Sequence, residues 1–286
     1  MAAEILDGKK LSEKILETAK KEAGELKQKG ISPCLTVMLI GEREDSKLYV
    51  EKKQEACKKT GIESKGIFLP ENVSEKKLLE EIEKLNADSS VHGILVQLPL
   101  PRQISQEKIL NSVSPSKDVD GFHAQNIGRL AQGIEDFAGC TASGIIKLIE
   151  STGTGIEGKN ACIINDTIVV GKPLALMLLN RNATVSICNK FTKNISDFSK
   201  KADILVSAVG KKNLVSKEMI KEGAIVIDAG ICVSGTEEKK VFGDVDFTEA
   251  KKIASWITPV PGGVGPMTVA CLMQNTIIAA KKISGA

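Results

Sequence analysis

The stretch Ala161-Cys162-Ile163-Ile164-Asn165-Asp166-Thr167-Ile168-Val169-Val170-Gly171-Lys172-Pro173 decides the architecture of the chain. Four apolar residues run into a polar turn, and the turn runs into Gly171 and Pro173. A short apolar run of this kind reads as a buried strand. Proline suits the first turn of a helix, and Gly171 allows helix and strand to pack closely. The segment therefore opens a strand–turn–helix unit, with the helix predicted from Val170 to Leu179. The apolar runs Ala183–Cys188, Ile204–Ala208, Ala224–Ile227 and Ser255–Ile257 repeat the strand signal. Strands separated by roughly 20 residues are what a mononucleotide-binding half requires. The G-x-G-x-x-G fingerprint is absent. On pattern alone, a Rossmann-like domain with a bound nucleotide stands level with another α/β domain.

The same alternation fills the first hundred residues. Leu11, Ile15, Leu16, Ala19, Ala23 and Leu26 mark one face of a helix that stops near Gly30. Cys34–Ile40 reads as a buried strand, Ser46–Lys59 as a helix ending at Gly61, and Ile67–Leu69 as a strand. Leu78, Leu79, Ile82 and Leu85 give another helical face, and Val91–Gln97 another buried strand. This βαβα order predicts a parallel sheet with helices on both faces. Residues 98–123 break the rhythm, starting with the stiff Leu98-Pro99-Leu100-Pro101. After the Pro261–Pro266 loop, Thr268–Lys282 reads as a terminal helix. The fold class is α/β, and 286 residues suffice for two domains.

Composition narrows the function classes. Net charge is +3, from 39 basic and 36 acidic residues, and no basic run is interleaved with aromatics. No nucleic-acid partner is expected. No apolar stretch reaches the length of about 18 residues that a membrane span needs. The N-terminus has no signal-peptide pattern. The seven cysteines are scattered and form no C-x-x-C pair, as expected for buried free thiols in a reducing compartment, hence the cytoplasm. With only His92 and His123 as imidazoles, no metal site is expected.

Several segments carry candidate chemistry. Tyr49, the only tyrosine, and Lys53 stand four apart on one helical face. A flat ring there can cover a flat substrate while the amine handles a proton. Gln97 ends a buried strand with an amide. Lys117-Asp118-Val119-Asp120-Gly121 places two carboxylates in a tight turn. The glycine-rich Pro261–Pro266 loop lets a ligand approach the backbone. Taken singly, each has a plainer reading: a half-buried Tyr beside a solvated Lys, a capped strand end, an Asx turn, a hinge.

Together they form an ordered set. G-x4-S-x2-Y-x3-K (Gly41 to Lys53) is followed by GILVQLPLP, KDVDGF, VGKP, VIDAGI, GDVD and finally TPVPGGVGPMT (Thr258 to Thr268). The chain resembles the bifunctional methylenetetrahydrofolate dehydrogenase/methenyltetrahydrofolate cyclohydrolase family from Leu6 to the terminal helix. The resemblance implies an N-terminal catalytic domain over residues 1–120, completed by the C-terminal helix 267–286, and a Rossmann-like NAD(P)-binding domain over 141–266. It implies a folate cleft between the domains, a tetrahydrofolate derivative as substrate, NADP or NAD as cofactor, and a homodimer.

By the same resemblance Lys53 is the base of the cyclohydrolase step, Gln97 aims its amine, Tyr49 packs on the folate ring and Asp120 accepts from the pterin. Leu98, Pro99, Pro261, Gly262 and Gly263 line the folate. Thr141, Asn165, Asp166, Thr167, Val170, Gly171, Lys190, Ala208, Val209, Gly210 and Ile231 fall at cofactor positions. A lysine serves as a base only when burial or nearby positive charge brings its pKa down.

The sequence departs from the family at two places. The family's P-C-T-P segment reads Gly139-Cys140-Thr141-Ala142 here, without its prolines. The cofactor turn, usually glycine, arginine or a small residue, serine and asparagine, is Asn165-Asp166-Thr167-Ile168. Thr167 keeps a hydroxyl for phosphate, and Asp166 adds negative charge near it. No acidic residue ends the second nucleotide strand to hold a ribose 2′-hydroxyl, and Lys190 offers positive charge to a 2′-phosphate, which favours NADP over NAD. The competing readings are a cyclohydrolase alone, an NAD-dependent dehydrogenase, and a non-enzymatic folate- or nucleotide-binding module.

Overall fold

The computed structural model describes residues 2–234 and 240–286. The first half of the chain forms β1 (Glu4–Ile5), α1 (Gly8–Gln28), β2 (Cys34–Ile40), α2 (Glu44–Thr60), β3 (Glu63–Leu69), α3 (Glu75–Ala87), β4 (Gly93–Val96), α4 (Gln106–Leu110), α5 (Ala124–Ala131) and α6 (Cys140–Glu150). The second half forms β5 (Asn160–Ile164), α7 (Gly171–Leu179), β6 (Thr184–Cys188), α8 (Ser196–Ser199), β7 (Ile204–Ser207), β8 (Ile225–Asp228), β9 (Cys232–Ser234), β10 (Lys240–Phe242), α9 (Phe247–Ala250), β11 (Trp256–Ile257) and α10 (Val264–Ser284).

The elements group into two units. One holds Glu13–Cys140 and Val269–Ala286; the other holds the residues up to Ser12 and Thr141–Thr268. The first unit is built on a parallel sheet of order β3-β2-β4. Every residue of β2 is buried, and its side chains alternate between faces. Leu35, Val37 and Leu39 pack with Ala19 and Leu26 of α1, Val50 and Cys57 of α2, and Leu272 and Ile277 of α10. Met38 and Ile40 pack with Leu78, Ile82 and Leu85 of α3. Burial on both faces is why β2 and β4 read as continuous apolar runs. Helix α2 ends at Gly61, whose φ of 76° supplies the left-handed cap.

The second unit carries a six-stranded parallel sheet of order β6-β5-β7-β8-β11-β1. Its five strands from β6 to β11 follow the doubly wound 2-1-3-4-5 order, so the topological switch point lies between β5 and β7. The stretch that opens at Ala161 is the interior strand β5 and its turn into α7, as its pattern predicts. Strand β1 pairs with β11, Glu4 opposite Trp256 and Ile5 opposite Ile257. The first residues thus extend this sheet, although the sequence reading keeps residues 1–120 together. Two residues carry no periodicity, so the sequence has no signal for this pairing.

Elements also differ in extent. Strand β3 begins at Glu63 rather than Ile67 because its polar half is exposed. Helix α10 starts at Val264 and takes Pro266 into its first turn, where proline's missing N–H costs nothing. Among the described residues no helix is long and apolar enough to cross a membrane.

Candidate active site

Lys53 lies on the buried face of α2, only 8% exposed. Its Nζ donates to Gln97 Oε1 at 2.8 Å. Gln97 follows β4; its backbone N–H donates to Met38 O, and its Nε2 donates to Leu98 O at 2.8 Å. The side-chain amide is thereby oriented with its carbonyl toward the amine. Burial pulls the Lys53 amine below the usual lysine range, and the Asp120 charge opposes that shift. Burial pushes the Asp120 carboxyl up, with Lys53 pulling the other way. The unit therefore holds an amine and a carboxyl, both poised nearer neutrality than in water. Tyr49, half-buried one turn earlier on α2, has the Lys52 ammonium 5.8 Å from its ring centroid.

The two carboxylates of the KDVDGF turn have separate roles. Asp118 is buried and accepts from the backbone N–H groups of Gly121 and His123 and from Asn126 Nδ2. Lys117 is also buried, its Nζ donating to the carbonyls of Leu85 and Asp88. Both residues build the turn and leave Asp120 as its half-buried outer carboxylate. Gly121 has φ +74°, and a Cβ there would sit 2.6 Å from Phe137 O. Only glycine serves at that position.

Two residues beside Asp120 escape the sequence reading. Cys140 Sγ donates to Val119 O at 3.3 Å, and Asn275 Nδ2 donates to the same carbonyl at 2.8 Å and to Ala138 O at 3.3 Å. Burial and the Asp120 charge push the Cys140 thiol far above its ordinary range. A polar Asn midway along the apolar α10 was the available signal.

In the other unit, the carboxyl ends of the parallel strands gather the expected cofactor residues. Asn165, after β5, spans the switch point: its Nδ2 donates to Ala208 O, after β7, at 2.6 Å. Its Oδ1 accepts from Thr167 N, Thr167 Oγ1 and Gly171 N. The Thr167 hydroxyl, a candidate donor to phosphate, gives its hydrogen to Asn165 in this structure. Gly171 is a packing glycine, since a Cβ would lie 1.9 Å from Asn165 O. Asp166 Oδ2 accepts from Asn189 Nδ2 at 3.0 Å, which brings its charge to the end of β6 beside Lys190. The Lys190 amine stands 4.9 Å from the centroid of exposed Phe191. Val209 and Ile231 expose apolar side chains after β7 and β8. Apolar groups for flat rings with a cation at the β6 end fit a dinucleotide.

Thr141 and the expected residues of the 261–263 loop are also placed in this unit. Thr141 Oγ1 accepts from Thr268 Oγ1. The Gly262 carbonyl accepts from Lys9 N, and Gly8 abuts Gly263 so closely that a Cβ would fall 1.8 Å from its oxygen. Leu98 and Pro99 stay with Gln97 in the first unit. Among the described residues no group of His, Cys, Asp and Glu has the makings of a metal site.

Comparison with known proteins matches both units. A model described as the tetrahydrofolate dehydrogenase/cyclohydrolase catalytic domain covers residues 6–120, and one described as the NAD(P)-binding domain of the same group covers 139–284. The bifunctional protein FolD of Listeria innocua is 52% identical over 98% of both chains. The crystal structure of bifunctional FolD from Campylobacter jejuni is 49% identical, with a TM-score of 0.95 over 98% of this chain and 99% of that one. FolD of Trypanosoma brucei, solved with NADP cofactor and an inhibitor, is 36% identical, with a TM-score of 0.96 over the whole of both chains. On this identity and coverage, the chain belongs to the tetrahydrofolate dehydrogenase/cyclohydrolase family.

Proposed function

We propose that the protein oxidises 5,10-methylenetetrahydrofolate to the 5,10-methenyl cation with NADP, then hydrolyses the cation to 10-formyltetrahydrofolate. The observation that carries this reading is the buried Lys53 amine, aimed by Gln97 and coupled to Asp120, in a family member with both domains.

NADP, when bound, supplies the acceptor for the hydride. The chain's own work in that step is placement, because hydride transfer mainly needs two rings held in register. Tyr49 packs on the folate ring, and Asp120 accepts from donor groups of the pterin. Leu98 and Pro99, which follow Gln97, line the substrate. In the second step Lys53 takes one proton from the water that adds to the cation. The second water proton ends on the ring nitrogen that departs as the formyl group forms. The cation lowers the amine's pKa further as it binds, so more of the amine is in its neutral, proton-accepting form when the substrate is present.

Lys190 would supply the counter-charge for a 2′-phosphate, and the exposed Val209 and Ile231 would hold the cofactor's rings. Pairing of two copies through the six-stranded unit is part of the same proposal; the open edge of β6 leaves Ile187 45% exposed. A reducing compartment such as the cytoplasm accords with seven free cysteines, six of them buried.

The test is absorbance at the reduced-nicotinamide band, with purified protein and 5,10-methylenetetrahydrofolate, run in parallel with NADP and NAD. Decay of methenyltetrahydrofolate is followed separately. Reduction of NADP together with that decay supports the bifunctional reading. Decay without reduction of either cofactor would leave a cyclohydrolase alone.

A further inference from the structure

The VIDAGI and GDVD motifs contain two buried carboxylates that the reaction does not use. Asp228 is 4% exposed and Asp244 is fully buried. Asp244 Oδ2 accepts from Ser207 Oγ and Val209 N, both at 2.7 Å. Its Oδ1 accepts from Gly210 N at 2.9 Å and Lys211 N at 2.8 Å. Three consecutive backbone N–H groups of the loop after β7 thus converge on one carboxylate, and the serine that ends β7 joins them. Such a nest of amides gives a carboxylate strong, charge-assisted bonds.

Asp244 is itself fixed from below. Asp228 Oδ1 accepts from the backbone N–H groups of Gly230 and Asp244, and its Oδ2 accepts from Val245 N. The two acids interlock through glycines. A Cβ on Gly230 would lie 2.0 Å from Asp244 Oδ1, and one on Gly243 would lie 1.9 Å from Asp228 Oδ2. The left-handed Gly210, at φ +80°, then turns the loop so that Val209 faces outward, 50% exposed. Because the amides of residues 209–211 all point inward to Asp244, the loop meets a ligand with the Val209 side chain and its carbonyls.

We propose that Asp244 is a positioning residue for the nicotinamide cofactor: its carboxylate sets the 208–211 loop at the switch point, and the interlocked Asp228 holds Asp244 in place. This inference rests on the reading that NADP binds along the carboxyl ends of β5 to β8. Asn165, whose side chain reaches Ala208 O in the same loop, links the loop to the turn after β5. The loop is therefore held on two sides, and its geometry is set before a ligand arrives.

The test uses the full chain with Asp244→Asn and the milder Ser207→Ala. NADPH affinity is measured by nucleotide fluorescence, KM is measured for NADP and for methylenetetrahydrofolate, and hydrogen exchange is read at the amides of 209–211. Asp244→Asn keeps one acceptor oxygen and puts donors against the Ser207 and Val209 side. NADPH binding is expected to weaken about tenfold or more. The KM for NADP should rise while that for the folate holds, and exchange at 209–211 should quicken. Ser207→Ala removes one contact of the four and keeps the fold within reach, with a loss of about two- to fivefold in NADPH affinity. Variants that bind NADPH as tightly as the parent overturn the inference and leave the NADP reading standing. A parent protein that binds no NADPH overturns both.

Discussion

Lys53 Nζ and Gln97 Oε1 meet at 2.8 Å although 44 residues separate them in the chain. The bond joins the buried face of α2 to the end of β4, two elements that both pack on β2. The amine's direction is therefore set by the sheet rather than by a mobile loop. An amine held in this way needs no reorientation to meet a ligand.

Replacing Lys53 by Met keeps an unbranched side chain and removes the proton acceptor. Hydrolysis of methenyltetrahydrofolate is expected to fall by about 10²- to 10⁴-fold, the usual worth of a general base. Hydride transfer requires no proton at this position and is expected to retain most of its rate. Following both absorbances on one preparation decides the matter, since an undiminished hydrolysis rate would remove Lys53 from its role.

Asp120→Asn tests the coupling between the pair. Burial lowers the Lys53 pKa, and the Asp120 charge raises it in opposition. Removing that charge takes away the main opposition to burial, so the amine's pKa drops further. The neutral amine then persists to lower pH, and the acid limb of the hydrolysis profile moves to lower pH. Asn also gives up a carboxylate toward the pterin, so the KM for folate should rise. An acid limb that stays in place or moves up would show that Asp120 does not reach Lys53 electrostatically.

The sheets were legible because β2, β4, β5, β7 and β8 are largely buried and each carries a run of apolar residues. Lys53, Gln97 and the bond between them were legible only through the motifs of the resemblance, since nothing in spacing reports a bond across 44 residues. The difference between Asp118 and Asp120 came from the resemblance alone, for another reason. Both are aspartates in one turn, and only the backbone conformation decides which one folds inward onto Gly121, His123 and Asn126. Strand β1 was invisible because two residues have no period. The bond from the Thr167 hydroxyl to Asn165 was hidden because it depends on the conformation of the turn.

Asn275 ties the Asp120 turn to α10. Its Nδ2 bonds to Val119 O and Ala138 O inside the core. Asn275→Leu strips both carbonyls of this donor and costs about 1–3 kcal/mol, the penalty for leaving a buried polar group unpaired. Thermal denaturation should show the loss. The freed turn should raise the KM for folate more than it lowers kcat. A stable variant with the parent's KM would mean that Gly121 and Asp118 hold the turn unaided.

Asp228 gives the fold a defined pH dependence. Burial pushes its pKa up to about 6, with the Asp244 charge adding to the rise and three backbone N–H bonds opposing it. Between the ordinary value of 3.8 and about 6, the native state holds this proton more tightly than the unfolded chain. The stability it contributes is complete at the acid end and is lost as pH rises through about 6. The whole window is worth about 3 kcal/mol at the standard conversion. Urea unfolding from pH 4 to 7 should show Asp228→Asn lacking this component relative to the parent. Parallel pH curves for the two proteins would rule it out.

Asp166 is the residue at which this chain's cofactor turn departs furthest from the family pattern. Asn189 holds its carboxylate at the end of β6, next to Lys190. A 2′-phosphate bound by Lys190 therefore meets a like charge that NAD, with a bare hydroxyl, does not. Asp166→Asn removes the charge and keeps a side chain that can still pair with Asn189. The ratio of NADP to NAD affinity is expected to rise about three- to tenfold in low salt, from Coulomb energies of about 1 kcal/mol at an exposed site. Because salt screens exposed charges over about 8 Å at physiological ionic strength, the gain should shrink as salt is added. Titrating both cofactors against parent and variant at two salt concentrations separates the possibilities. A ratio that does not change in low salt would mean that the bond to Asn189 carries the carboxylate out of range of the phosphate. A gain that ignores salt would place the effect in the shape of the turn rather than its charge.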